Sequence, residues 1–171
     1  MDIYRVTADS PAWQRIGYDY VRTDAFCFGQ NIPLETEFSH DAPVEELNGV
    51  LIVDDHKPIA GLRISYPMED VGKIERVCVV RERQKNGVGS VLIKAAEEWI
   101  KEKGISHVVI SSQDRAAGFY QKNGYVLNPN VSPDVYEKHP HPRKRDNDPN
   151  FKPDFVCVLV EKYLDTDKRE A

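Results

Sequence analysis

The stretch Lys73–Gly104, KIERVCVVRERQKNGVGSVLIKAAEEWIKEKG, decides the fold. Lys73 to Val80 reads as a strand rich in β-branched residues. From Val88 the pattern changes period. Val88, Val91, Leu92, Ala95, Ala96, Trp99 and Ile100 fall at i, i+3, i+4, i+7, i+8, i+11 and i+12, one wide apolar stripe of an amphipathic helix. Lys94, Glu97, Glu98, Lys101 and Glu102 take the opposite face, and Gly104 suits the residue after the C-cap. A glycine-containing loop joins the two elements. Strand, glycine loop and helix N-terminus together make a site for the phosphates of a ligand.

After the helix, His107–Ser111 reads as a short buried strand. Strand, helix and strand then form a crossover unit whose two strands run parallel. Before Lys73 lies an antiparallel meander. Gly49–Val53 and Pro58–Tyr66 are strands around a four-residue turn, Asp54–Lys57, and Pro67–Gly72 is a second turn. Ile3–Thr7 reads as a first strand. Ser10 as N-cap and Pro11 at N1 then open a helix over Ala12–Phe28, with Trp13, Ile16, Tyr20, Val21, Ala25 and Phe28 near helical spacing. Ile32–Asn48 carries two prolines and many acids and reads as an irregular connection, its carboxylates either bordering a ligand or simply solvated. Gln113–Lys122 is a short helix, and Tyr125–Leu127 starts a strand. Asn128–Pro153 is a proline-rich excursion with the basic run Arg143-Lys144-Arg145. Asp154–Lys162 is the last strand, and Leu164–Ala171 a polar tail.

Size and composition narrow the classes. A chain of 171 residues holds one full domain, too short for two ordinary ones. Net charge −5 and a pI near 5.6 argue against a nucleic-acid surface, and no basic stretch is interleaved with aromatics. No apolar run approaches the ~20 residues of a membrane span, and the N-terminus lacks the pattern of a signal peptide. Cys27, Cys78 and Cys157 are odd in number and widely spaced, as expected of reduced thiols in a cytoplasmic protein. No Cys/His spacing suggests zinc, His139 and His141 read as loop histidines, and no metal is expected.

The loop itself, Gln84-Lys85-Asn86-Gly87-Val88-Gly89, is a Q-x-x-G-x-G pattern. Glycines here let the backbone approach a phosphate, and the free N–H groups and dipole of the helix favour its charge. The G-K-[ST] ending of a Walker loop is missing, as is the third glycine of the dinucleotide fingerprint, and the preceding strands are antiparallel. What remains is a diphosphate held by backbone alone.

Val77-Cys78-Val79 followed by Gln84–Gly89 resembles motif A of the GNAT acyl-CoA N-acyltransferases. Gln113–Tyr125, QDRAAGFYQKNGY, is similar to their motif B, and the run Phe26–Phe38 resembles the ElaA-like branch. The resemblance covers about Ile3 to Lys162. It implies an α+β, three-layer GNAT fold: a mixed, mostly antiparallel sheet of six to seven strands flanked by helices and splayed between its two central strands. It further implies that acetyl-CoA is the co-substrate. The pantetheine arm would pair with the backbone of Val77, Cys78 and Val79, and a backbone N–H there would polarise the thioester carbonyl. The diphosphate would lie on Gln84, Lys85, Asn86, Gly87, Val88, Gly89 and Ser90, with Gln113, Ala116 and Tyr120 completing the contacts. Tyr120 would protonate the leaving thiolate. Glu75, four residues before Val79 and by alternation on its strand face, would deprotonate the amine; otherwise it pairs with Arg63 across the hairpin.

Two departures from the family pattern stand out. Gln113 replaces the usual asparagine, and Pro140-His141 precedes the last strand too early, so Asn128–Pro153 includes an insertion. The reading is a single domain over 1–171, transferring acetyl to a primary amine of a small molecule or peptide, with no nucleic-acid or membrane partner and a homodimer left open. The alternative is a module that binds acyl-CoA without catalysis.

Overall fold

A computed structural model gives the structure of residues 1–39, 41–137 and 156–165. In chain order the elements are β1 (Asp2–Val6), α1 (Ala12–Arg22), α2 (Leu34–Phe38), β2 (Gly49–Asp54), β3 (Lys57–Met68), β4 (Val71–Val79), α3 (Val88–Glu102), β5 (His107–Gln113), α4 (Ala117–Lys122), β6 (Val126–Asn128) and β7 (Cys157–Tyr163). The strands form one seven-stranded mixed sheet in the order β1-β2-β3-β4-β5-β7-β6. Every neighbouring pair is antiparallel except β4 and β5, which are parallel, as the crossover through α3 requires. Helices cover both faces, giving the expected three-layer α+β architecture. On one face Tyr18 of α1 lies over Gly49 and Gly61; on the other Ile100 of α3 lies over Gly72.

The helix in the opening stretch forms as its periodicity dictates. Val88, Leu92, Ile93, Ala96, Trp99 and Ile100 are buried, and Gly104 takes a left-handed φ of 77° just past the end. Burying each large aliphatic side chain on such a stripe stabilises the fold by about 1.5–3 kcal/mol.

α1 differs from expectation in three ways. It starts at Ala12 with Pro11 at the N-cap, and the Ser10 hydroxyl accepts from the Thr7 N–H at 2.8 Å instead of capping the helix. Thr23–Phe28 is wound as a π-helix, which a simple period count does not detect. Its buried face is Gly17, Tyr18, Val21 and Arg22, while Trp13, Ile16 and Tyr20 point outward, lining an apolar groove with Leu51, Val53 and Pro58. The connection 32–48 is more ordered than read, with α2 and a 3₁₀ turn at Val44–Glu46.

The β2–β3 turn is Asp55-His56 alone, both residues at positive φ (48° and 61°), so the strands extend to the pair Asp54–Lys57. That is the hairpin geometry favoured by sheet twist, reached here without glycine. The excursion contains a 3₁₀ turn at Pro133–Tyr136, capped by Ser132. Pro140-His141, His139, Arg143–Arg145 and the start of the last strand lie outside the described residues. No helix among the described residues is long and apolar enough to cross a membrane.

Candidate active site

The loop after β4 is set by local bonds. A 3₁₀ turn, Arg81–Arg83, leaves the strand end. The Asp24 carboxylate accepts the Arg81 backbone N–H at 2.8 Å and its Nη2 at 3.1 Å, tying the π-helical segment to the loop. Lys85 (φ 67°) and Gly87 (φ 78°) are both left-handed, and α3 follows with Gly87 at its N-cap. Among the described residues no side chain caps this end, and its first turn holds no acid. The first N–H groups of a helix have no acceptor within it, so those of Val88, Gly89 and Ser90 face an anion-ready, unneutralised terminus. The residues present therefore fit a diphosphate.

The two glycines have separate reasons. Gly87 has nothing within 4 Å of where a Cβ would stand, and only its φ demands glycine. At Gly89 a Cβ would come within 2.9 Å of Phe119 Cζ, so this glycine seats motif B on α3.

Beside the loop the sheet opens. β4 pairs with β5 only from Val71–His107 to Ile74–Ile110. Beyond that, β5 stays with β7 as far as Gln113–Cys157, and β4 stays with β3. The Val80 N–H donates to the Ile59 carbonyl, which makes Gly61–Cys78 the next hydrogen-bonded pair of that antiparallel ladder. The backbone groups of Val77 and Val79 consequently face the gap, and those of Cys78 face β3. The Cys78 side chain is buried, its Sγ 3.4 Å from the Gly61 carbonyl, and burial pushes the thiol up to about 12. Gln84 Nε2 donates to the Val79 carbonyl at 3.1 Å from the gap side.

Tyr120 is only 7% exposed, edge-on to Phe119 and Tyr125. Burial first, then the nearby Cys78, raises its phenol above the ordinary tyrosine range, so the proton stays on at neutral pH. Gln113 Nε2 donates to Gln30 Oε1 at 3.2 Å, and Arg115 Nε donates to Gln113 Oε1 at 2.8 Å. This links the Phe26–Phe38 stretch to the start of motif B. Ala116 packs, partly buried, against the main core.

The alternation argument for Glu75 fails for a specific reason. Arg76 has φ 53°, and β4 carries one residue more than β3 between the pairs Arg63–Glu75 and Gly61–Cys78. This bulge moves Glu75 onto the face of Cys78, away from that of Val79. There its carboxylate accepts from Arg63 Nη2 at 2.9 Å and from the Ser65 hydroxyl, with Lys73 Nζ at 3.7 Å. Burial works to raise the Glu75 carboxyl, but Arg63, Lys73 and the two hydrogen bonds more than offset it, and the net shift is downward.

Glu75 lies in the wall of a cavity of about 490 Å³ between α1, residues 41–48 and strands β3 and β4. Sequence reasoning missed the groups that organise it. Arg22 is fully buried; its guanidinium donates to Asp41 at 2.7 and 2.9 Å and to Glu37 Oε1 at 3.1 Å. Asp41 also accepts from Arg63 at 2.9 Å, and Glu37 meets Arg76 at 3.4 Å. The available signal was position: Arg22 stands four residues after Tyr18 and so shares its buried helix face.

The sequence profile of the acetyltransferase (GNAT) family matches residues 12–125. The uncharacterized N-acetyltransferase YjcF of Bacillus subtilis (strain 168) is 36% identical over 107 residues, 62% of this chain and 74% of that protein. A putative N-acetyltransferase from Lactobacillus plantarum superposes with a TM-score of 0.71 at 24% identity, over 96% of this chain and 99% of that one. Escherichia coli ElaA does so with a TM-score of 0.70 at 16% identity, over 95% and 99%. These two structures share the fold.

Proposed function

The chain belongs to the acetyltransferase (GNAT) family, and from that premise we propose that it moves an acetyl group from acetyl-CoA to the primary amine of a small molecule or peptide, acting as a single domain. The observation that carries this reading is the uncapped, acid-free N-terminus of α3 next to the gap between β4 and β5. Gln84 to Gly89 and Ser90 hold the diphosphate. The backbones of Val77 and Val79 pair with the pantetheine amides as a neighbouring strand would, while Cys78 supports them from the β3 side. Gln113, at the end of β5, and Ala116 complete the cofactor's contacts in this reading.

The reaction asks for two proton movements. The amine nitrogen forms a bond to the thioester carbonyl carbon, and a backbone N–H in the gap stabilises the oxygen's developing charge. The carbon–sulfur bond then breaks, and Tyr120 gives its proton to the thiolate. Glu75 takes the amine's proton through water. Arg63 and Lys73 keep this carboxylate ionised but make it a weak base, so acyl transfer accelerates as pH rises toward the amine's own pKa.

The deciding measurement is thiol release from acetyl-CoA across a panel of primary amines, with release expected for at least one. No release from any amine, alongside an acetyl-CoA-induced rise in Tm, would leave a non-catalytic acyl-CoA-binding module. The loop is tested by Ser90→Glu. A glutamate at the third position of an acid-free helix stabilises it by about 0.3–1 kcal/mol yet repels a diphosphate. Tm should hold or rise while acetyl-CoA affinity falls about tenfold or more; undiminished affinity would remove the loop from the site.

A further inference from the structure

The cavity that contains Glu75 is large enough for a small molecule. Among the described residues four cationic side chains line it, and each is already engaged. Arg22 is paired with Glu37 and Asp41, Arg63 with Asp41 and Glu75, and Lys73 with Glu75. Arg15 turns its guanidinium onto the carbonyls of Ala8 and Ser10, at 2.6 and 3.2 Å. A ligand carboxylate or phosphate entering here finds no spare cation among the described residues.

The anions are not matched in the same way. Asp19 of α1 and Glu137 also line the cavity, and among the described residues neither carboxylate has an ion pair or hydrogen bond. Burial, opposed by Arg22 and then reinforced by Asp41, holds the Asp19 carboxyl above its ordinary value, the sign of an anion short of positive charge. A second observation is independent of charge. The hydroxyl of Tyr18, a residue that also lines the cavity, is buried without a hydrogen-bond partner among the described residues. Tyr18 is only 2% exposed. Buried polar atoms are normally satisfied, so an orphaned hydroxyl marks the place of a group that supplies a donor or acceptor.

We propose that this cavity receives the acyl acceptor and that the acceptor is a diamine: one amino group takes the acyl group near Glu75, and a second, kept as ammonium, is held by Asp19 and Glu137, with the orphaned hydroxyl of Tyr18 accepting from one of the ligand's N–H groups. The inference rests on the acyltransferase reading for the reaction and on the cavity alone for binding. It disfavours amino acids as acceptors, because their carboxylate would lie against Glu75, Asp41 or Asp19 with every cation among the described lining residues occupied.

Three probes separate the contributions. Butylamine, putrescine and ornithine share a carbon chain; the second adds an ammonium, and the third adds a carboxylate to that. Calorimetric titration of the full chain should show putrescine binding about tenfold more tightly than either of the others. Thiol release from acetyl-CoA should rank the three in the same order of kcat/KM. Asp19→Asn should reduce the preference for putrescine over butylamine. Tyr18→Phe should weaken putrescine while Tm holds, because it deletes an unsatisfied hydroxyl and keeps the ring. Butylamine or ornithine equalling putrescine overturns the proposal, as does a preference that survives both substitutions. If putrescine binds with this pattern but no amine releases thiol, the cavity assignment stands and the enzymatic reading falls. If amines are acylated without a diamine preference, the reverse holds.

Discussion

Replacing Tyr120 with phenylalanine is expected to slow turnover by about a hundredfold or more, the lower end of what a positioned general acid contributes, while the affinity for acetyl-CoA changes little. The geometry makes this substitution clean. The ring is almost fully buried and packs edge-on against Phe119 and Tyr125, contacts that phenylalanine keeps. What is lost is a hydroxyl whose proton burial holds in place well above neutral pH. A departing thiolate would then need a proton from solvent. The raised phenol also predicts the pH behaviour of the parent enzyme. The Tyr120 phenol stays protonated through the ordinary tyrosine range, so if it is the acid, no alkaline loss of rate due to this group should appear below it. Thiol-release kinetics on both proteins, with acetyl-CoA titrated calorimetrically, give the comparison. An unchanged kcat would take the acid role away from Tyr120.

The second large effect is on stability. Arg22→Met should destabilise the fold by about 3–5 kcal/mol, the cost typical of breaking a buried ion pair from one side. Arg22 is 0% exposed and Glu37 only 2%. Burial opposes the Arg22 charge, but bonds to Asp41 and Glu37 hold its pKa above the ordinary arginine value. Its guanidinium also lies 4.4 Å over the Phe38 ring. Methionine fills similar volume but leaves Glu37 buried with Arg76, at 3.4 Å, as its one remaining cation among the described residues. Against a total stability of 5–15 kcal/mol for a typical domain, roughly a third or more would be lost. Urea unfolding measures it directly. Adding Glu37→Leu to Arg22→Met should recover part of the loss, because the uncompensated charge goes with it. A loss under about 1 kcal/mol for Arg22→Met alone would mean the cluster is hydrated and not a buried network.

Legibility in the sequence followed the strength of the local signal. α3 is readable because seven apolar positions repeat with one period and a glycine stands past its end. The parallel β4–β5 pair follows from the crossover. Of the helix expected over Gln113–Lys122, only Ala117–Lys122 is α-helical, since Gln113 ends β5 and Asp114–Ala116 is a 3₁₀ turn, while the Arg63–Glu75 pair is the alternative role expected of that glutamate. Features decided by tertiary competition were not readable. α1 carries apolar residues on two faces, and the face that wins places Tyr18 and Arg22 inward while Trp13 and Ile16 stay outside. The acids at Glu37 and Asp41 look solvated until Arg22 is known to be buried beneath them. The bulge at Arg76 has no marker, since arginine is not the residue one expects at positive φ. That single extra residue reversed the inferred facing of Glu75.

The interrupted pairing between β4 and β5 has a further meaning. Past Ile74 and Ile110, each strand is an edge strand inside the sheet. Exposed edges invite pairing with other chains, yet these two face each other across a narrow gap instead of the solvent-facing rim, and Gln84 already covers one carbonyl of β4. An extended, amide-bearing ligand entering there behaves as a missing strand, recognised through main-chain groups. Recognition of this kind is blind to the side chains of Val77 and Val79. Under the proposed function those positions could vary among apolar residues without loss of the donor arm, and selection of the acyl acceptor would fall to the cavity beside Glu75.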